Sequence, residues 1–308
     1  MHRSFINILI FLSLVFLVTC KEVPIVTTST VNHQGKCPPN FVYVSESVEY
    51  GEKPFCVAKY EMKASKNKKE RTLESMPNGK AVVRVSRDEA DKLCQSLGSN
   101  FRLISNFQWQ AIAHEIELNP KNWSGGKLGS IEGINRGHSD GSPNRYLPAS
   151  SNDSDGCFMT EQRCNLENWN SQRRTHFLKS NDIIWDFAGN LHEWVLEPLI
   201  SPYLVDVYAT RISSDRYPKT TAVNGRFYNM KQLFGPNGEY PELINRFHGG
   251  MGLVRLSLPG GSARRGGRWA SGYAAGIYST TSGLPDDLRA RGIGVRCVMK
   301  LQGRVPEI

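Results

Sequence analysis

The sequence contains no Cys-x-x-Cys pair, and no cysteine at all between Cys164 and Cys297. That spacing disfavours a structural zinc cluster, which is normally built on closely spaced thiols. No apolar run is long enough to cross a bilayer. The one from Phe5 to Val18 falls short of the roughly 20 residues a spanning helix needs. Gly125-Gly-Lys-Leu-Gly129 lacks the Gly-Lys-Ser/Thr ending of a phosphate loop. Internal repeats and long low-complexity runs are also missing, which leaves one large domain or a domain with insertions. Acidic residues are scarce beside basic ones, 29 against 38, for a net charge of +9. No nucleic-acid motif accompanies that charge. The expected partners are therefore anionic polysaccharide, lipopolysaccharide or acidic protein surfaces, not nucleic acid.

The short apolar run has a use of its own. His2 and Arg3 precede it, and Leu17-Val18-Thr19-Cys20 follows. A basic start, a short apolar core and a closing cysteine read as a bacterial lipoprotein signal over residues 1–19, with lipidation at Cys20. Acyl chains contribute about 0.8 kcal/mol per buried CH₂, so several together anchor firmly. Residues 20–36, with Pro24 and the run Thr27-Thr-Ser-Thr30 and no helical periodicity, read as a tether. A domain over 37–300 and a tail over 301–308 complete the chain. The expected location is a bacterial membrane, at the outer membrane or cell surface.

Setting Cys20 aside leaves six cysteines, an even number that reads as disulfides in an exported chain. Several pairings are possible. Cys37 and Cys56 flank the strand-like runs Phe41–Val44 and Phe55–Tyr60, which suggest a hairpin. Cys157 and Cys164 enclose a short loop, and Cys94 and Cys297 remain. Two helix starts are explicit. Ser86-Arg-Asp-Glu89 and Ser105-Asn-Phe-Gln108 are capping boxes, in which Ser accepts from a backbone N–H and Glu or Gln reaches back. Ala90, Leu93, Cys94 and Leu97 then share one face, as do Trp109, Ile112, Ala113 and Ile116. Long glycine-rich connections follow, the kind that are usually functional or ion-braced. Within them, His138 beside Asp140 reads as a solvated polar turn. Arg173, Arg174 and His176 read as a surface or loop-bracing cluster.

Two distant motifs, Gly189-Asn-Leu-His-Glu-Trp194 and Arg265-Gly-Gly-Arg-Trp269 running to Gly292-Ile-Gly-Val-Arg-Cys297, resemble the sulfatase-modifying-factor (formylglycine-generating-enzyme) family. The resemblance covers residues 37–300. It implies an α+β, C-type-lectin-like fold with short strands, two main helices and long irregular loops. It implies a bond from an early helix to the last strand, which Cys94 and Cys297 match. It also implies calcium in the 186–193 segment. There Asp186 and Glu193 would supply carboxylate oxygens, and Gly189 and Leu191 backbone carbonyls, the hard donors this ion takes.

The family's oxidases hold copper on a thiol pair just after the Gly-Gly-x-Trp turn. Here Ser271 and Ala275 or Gly276 stand in that neighbourhood, so no copper is expected. What the segment does carry is Arg268, Ser271, Tyr273, Tyr278, Asp287, Arg289 and Arg291. Tyrosine and arginine among small polar residues make a paratope-like mixture. The expected function is a non-catalytic lectin-like domain that binds a protein or glycan through this face. The alternative is an enzyme of the same family with an unrecognised active site.

Overall fold

The computed structural model describes residues 36–65, 72–199, 201–217, 221–223, 226–244, 249–258 and 260–301. The leader, Cys20, nearly all of the tether and the end of the tail lie outside the described residues.

Two sheets organise the domain. The smaller has four antiparallel strands in the order Phe41–Val44, Phe55–Ala58, Cys297–Lys300 and Phe101–Leu103. The expected N-terminal hairpin is its first pair. Val57 faces Val42 on one side and Val298 on the other, so the two ends of the domain close against each other. The larger sheet is mixed, in the order Ile293–Gly294, His192–Trp194, Ser262–Arg265, Thr280–Leu284, Leu253–Leu256 and Val205–Tyr208. Its strands come from both sequence motifs, which explains how segments so far apart share one place.

The helices α1 (Arg87–Gln95) and α2 (Asn106–Glu117) start where the sequence places them, each with both capping-box hydrogen bonds present. Along α1, Cys94 is fully buried, but Leu93 and Leu97 are only half-buried. Helix α2 differs from a simple amphipathic helix: it is buried on nearly every face, Gln108, Gln110, His114 and Glu117 included. Partners make this tolerable. Glu117 accepts from the backbone N–H groups of Asn237 and Gly238 at 2.8 and 2.7 Å, from Tyr240 Oη at 2.6 Å, and from Tyr278 Oη. Asn106 and Gln110 accept from the buried Arg265 guanidinium at 2.5 and 3.0 Å. A polar group inside a protein is costly only when left without such partners.

Buried indoles follow the same rule. Trp109 stacks on Phe187 at 4.0 Å between ring centres while its N–H donates to the Ile277 carbonyl. Trp194 and Trp123 donate to the carbonyls of Val85 and Glu117. Each ring contributes apolar area without stranding its polar end.

The described cysteines form three disulfides, Cys37–Cys56, Cys94–Cys297 and Cys157–Cys164. The second ties α1 to the last strand across a sequence separation of 203. The long connections around residues 122–177 are braced by buried side-chain amides. Asn122 bonds Ile116 and Phe177, and Asn135 bonds the Arg173 and Thr175 carbonyls. Together these features make a C-type-lectin-like α+β fold: short strands, two main helices, irregular connections and ends joined in one sheet. Replacing Cys94 and Cys297 together by Ala is expected to lower stability by about 5 kcal/mol, the chain-entropy value for so long a loop. Denaturant unfolding measures this, and a loss below about 1 kcal/mol would show that the bond constrains little.

Candidate functional site

The segment expected to hold calcium is a tight, buried turn. Asp186 and Asn190 take left-handed backbone angles, φ 55° and 56°, and Gly189 has φ 77°. A Cβ on Gly189 would lie 2.6 Å from the His138 carbonyl oxygen, so this position needs both the angle and the missing side chain. The turn thus brings Asp186 and Glu193 inside, as a metal site would require. Cations of another kind already hold them. Arg174 forks onto Asp186, with Nε to Oδ1 and Nη2 to Oδ2 both at 2.7 Å. Arg296 forks onto Glu193 at 2.8 and 2.6 Å.

All four carboxylate oxygens are therefore engaged by guanidinium donors, and the expected calcium site does not fit. An ion would have to displace two buried positive charges from their partners, or share the cavity with them at a Coulombic cost. Leu191 likewise serves the frame, its N–H donating to the buried Glu61 carboxyl at 3.1 Å. Among the described residues, no group of three or more His, Cys, Asp or Glu side chains is placed to hold a metal.

The histidine and arginine clusters also end inside. His138, expected in a solvated turn, is fully buried. It donates from Nε2 to the Arg145 carbonyl at 2.8 Å, and Asp140 stays 3.9 Å from Nδ1. Burial holds its imidazole below the usual histidine range. His176 donates from Nε2 to the Asn135 carbonyl, and burial pushes its pKa down to about 4. Arg173 and Arg174 are buried too, so the surface half of that expectation is corrected and the bracing half stands. Local polarity in the sequence does not reveal that a loop will be folded inward.

The C-terminal face is divided by the fold. Arg268, Tyr273 and Arg291 are exposed, and Ser271 is half-buried with its Oγ accepting from the Arg268 N–H at 3.0 Å. Arg268 and Arg291 both lie against the ring of the buried Trp269, at 5.1 and 6.0 Å from its centre. Arg136 lies 4.6 Å from the ring centre of Tyr273, which is 41% exposed. Tyr278 leaves the set. It is fully buried, with its hydroxyl on Glu117, so it belongs to the core and cannot meet a ligand. Asp287 and Arg289 are exposed, but Arg289 forks onto Glu89 of α1 at 3.0 and 2.9 Å, drawing it toward that helix.

The sequence reading missed Glu61, Arg174 and Arg296 as partners of the turn, and Arg136 as a member of the face. Each is brought in from another part of the chain, and no local motif marks them. It also missed a neighbouring cleft of about 760 Å³ between the connections at 121–132 and 166–177.

No family model matches this sequence, and no curated protein is similar to it at a significant level. Several solved structures are similar in shape. The Major Tropism Determinant U1 variant is 13% identical with a TM-score of 0.40, over 85% of this chain and 53% of that one. Treponema denticola variable protein 1 is 12% identical with a TM-score of 0.38, over 83% and 90%. PvdO from Pseudomonas aeruginosa is 14% identical with a TM-score of 0.37, over 85% and 90%. This chain spans about half the length of the Major Tropism Determinant chains. At these identities and scores no function is transferred.

Two outcomes are expected of the buried turn. Arg296→Met leaves the Glu193 carboxylate inside without its cation and should cost about 3–5 kcal/mol in denaturant unfolding. Calcium should leave the melting temperature of the wild-type protein unchanged, and a calcium-dependent rise would restore the ion.

A third concerns pH. Burial first, then the Asp186 charge, pushes the Glu61 carboxyl up to about 8, with Lys63 and Arg296 opposing. The folded protein therefore holds a proton there that the unfolded chain releases near the ordinary value of 4.5. The associated stability is present below that value and is lost as pH rises toward about 8. Melting curves of wild type and Glu61→Gln should show the variant gaining on the wild type between about pH 5 and about pH 9. A pH-independent difference would mean that Glu61 does not change charge in that window.

Proposed function

We propose that this protein is a membrane-anchored lipoprotein whose lectin-like domain binds an extracellular or periplasmic protein or glycan and catalyses no reaction on it. In this reading it is a non-catalytic relative of the sulfatase-modifying factors. Cys20 carries the lipid, and the domain stands off the outer membrane or cell surface on the 20–36 tether. The observation that carries the binding role is the packing of Arg268 and Arg291 against Trp269, with Tyr273 on the same turn lying against Arg136. Arginine and aromatic side chains dominate binding energy at interfaces, because they pair large apolar area with directed polar groups. Here they sit on a turn fixed from below. The Trp269 N–H donates to the Asn190 carbonyl, its indole to Asn144 Oδ1, and the Gly272 N–H to the Ser139 carbonyl. Three cations on the face favour an anionic ligand, in keeping with the overall charge of +9.

Thiol-based oxidation is disfavoured on chemical grounds. Cu(I) wants soft thiolates, and this turn offers Ser271 and Ala275 instead.

The triple variant Arg268→Ala, Tyr273→Ala, Arg291→Ala should melt as the wild type does. It should lose capture of ligand on glycan arrays and on whole cells, since hot-spot truncations cost about 2 kcal/mol or more each. Mass spectrometry of the mature N-terminus tests the anchor. Oxidation of a cysteine-containing sulfatase peptide by the purified protein with copper would overturn the non-catalytic reading.

A further inference from the structure

The cleft between the 121–132 and 166–177 connections contains none of the residues of the face described above. Its walls are aromatic. Trp169 is half-buried, and its indole N–H is already engaged by the Asn122 carbonyl at 3.0 Å, so the ring is what it offers a ligand. Phe177 and Trp123 complete the apolar side.

Part of the rim is bare backbone. Gly125 and Gly126 take left-handed angles, φ 64° and 66°, and a Cβ on either would meet nothing within 4 Å. Packing therefore does not demand glycine there. The backbone angle does, and the result is main chain that a flat ring can approach closely.

The charged groups define the chemistry. Arg174 and Arg296, the two arginines of the calcium-like turn, are buried on carboxylates. Arg173 is equally buried and lines the cleft, yet it has no carboxylate partner. Its Nη2 donates to the Lys121 carbonyl at 2.7 Å and to Asn135 Oδ1 at 3.0 Å, while Nε has no hydrogen-bond partner. Arg265 is also without a carboxylate among the described residues, but it is fully buried against two side-chain amides. A buried guanidinium held by neutral oxygens retains positive charge to offer an anion. Lys121, exposed and 5.0 Å from the ring centre of Phe177, adds a second cation beside it.

Two exposed carboxylates, Glu132 and Glu167, also line the cleft. They would repel a ligand made only of anionic oxygens, such as inorganic phosphate or sulfate. They accept readily from hydroxyl groups. Aromatic wall, paired cations and hydroxyl acceptors together match a sugar ring that bears a carboxylate.

We propose that this cleft is a separate glycan subsite for a carboxylate-bearing pyranoside, of the hexuronate or sialic-acid type. The ring lies along Trp169, the carboxylate meets Arg173 and Lys121, and the hydroxyls donate to Glu132 and Glu167. The inference goes beyond the binding role of the C-terminal face, because it assigns a ligand class to residues outside that face. The two are nonetheless neighbours. A shallower depression shares Glu132 and Trp169 with the cleft and reaches Arg136, the residue against Tyr273. A glycan longer than one residue would have a path from one to the other.

The test is calorimetric titration of the purified full chain with trigalacturonate, with 3′-sialyllactose and with the neutral trisaccharide maltotriose. At least one acidic saccharide should bind saturably, at least about tenfold more tightly than maltotriose, which corresponds to about 1.4 kcal/mol. Which one binds separates a hexuronate from a sialic-acid ligand. Lys121→Gln, at an exposed position, should weaken that binding by about tenfold. Trp169→Ala should abolish it, with melting curves taken alongside. Equal binding of maltotriose, or no saturable binding of either acidic saccharide, overturns the subsite. So does full binding by Trp169→Ala or Lys121→Gln. Loss of acidic-saccharide binding in Tyr273→Ala, with Trp169→Ala unaffected, would overturn the cleft while supporting the C-terminal face.

Discussion

The structure depends on the fork between Arg296 and Glu193, in a place no water reaches. Arg296 stands just before the strand Cys297–Lys300 of the small sheet, and Glu193 is the central residue of the strand His192–Trp194 of the large one. The same guanidinium also donates to the Ala58 and Trp185 carbonyls at 2.7 and 2.9 Å. One side chain therefore fastens the N-terminal hairpin, the turn before Asp186 and both sheets. Arg174 does the same for the other half, joining Asp186 to the carbonyls of Leu147, Pro148 and Phe158. Burying two such pairs is expensive in desolvation, and an apolar replacement of equal shape could be as stable. What the charges supply is geometry: two-pronged donors match carboxylates in one orientation only. Connections this long and short of regular structure need such fixed points.

The same pairs change what the buried turn can do. Asp186, Gly189, Leu191 and Glu193 have the residue types of a calcium loop, and in isolation they fit one. Arg174 and Arg296 deliver the positive charge from inside the protein. The turn is thus braced by charges that the chain itself supplies. With its centre sealed, the exposed arginine and aromatic side chains of the proposed binding surfaces are those of the outer loops. Those loops present arginine and aromatic side chains on both the C-terminal face and the adjoining cleft. Scaffold and proposed recognition surface are in this way divided between the buried ion pairs and the connections they hold, a common arrangement where binding residues sit on loops.

Helix α2 shows the cost of such an arrangement in polar residues. Glu117, Gln110 and Asn106 lie inside only because a loop, two tyrosines and Arg265 come to meet them. That network also captures Tyr278. In sequence, Tyr273 and Tyr278 are equivalent members of one tyrosine-containing stretch. In space, the chain turns between them: Tyr273 faces out beside Arg136, and Tyr278 reaches into the core to Glu117.

The sequence by itself determined whatever rests on contacts within a few residues. Ser86 and Ser105 announced both helices, because a capping box is completed inside one turn. The runs at Phe41 and Phe55 announced the hairpin, while the pairing of Cys37 with Cys56 stayed one possibility among several until the structure showed it. The two glycine-rich motifs carried the C-type-lectin-like fold, and with it the Cys94–Cys297 bond. Tertiary structure alone decided the rest. That the Asp186 and Glu193 carboxylates meet guanidinium groups turned on Arg174 and Arg296, one of them more than a hundred residues from its partner. Whether Tyr278 binds or packs turned on Glu117, at a still greater separation. The cleft exists only where two distant connections lie side by side. A carboxylate, a tyrosine or an arginine has the same local signature whether its partner is an ion, a ligand or another side chain. The fold supplies that partner from elsewhere in the chain, so its identity is not written at the residue itself.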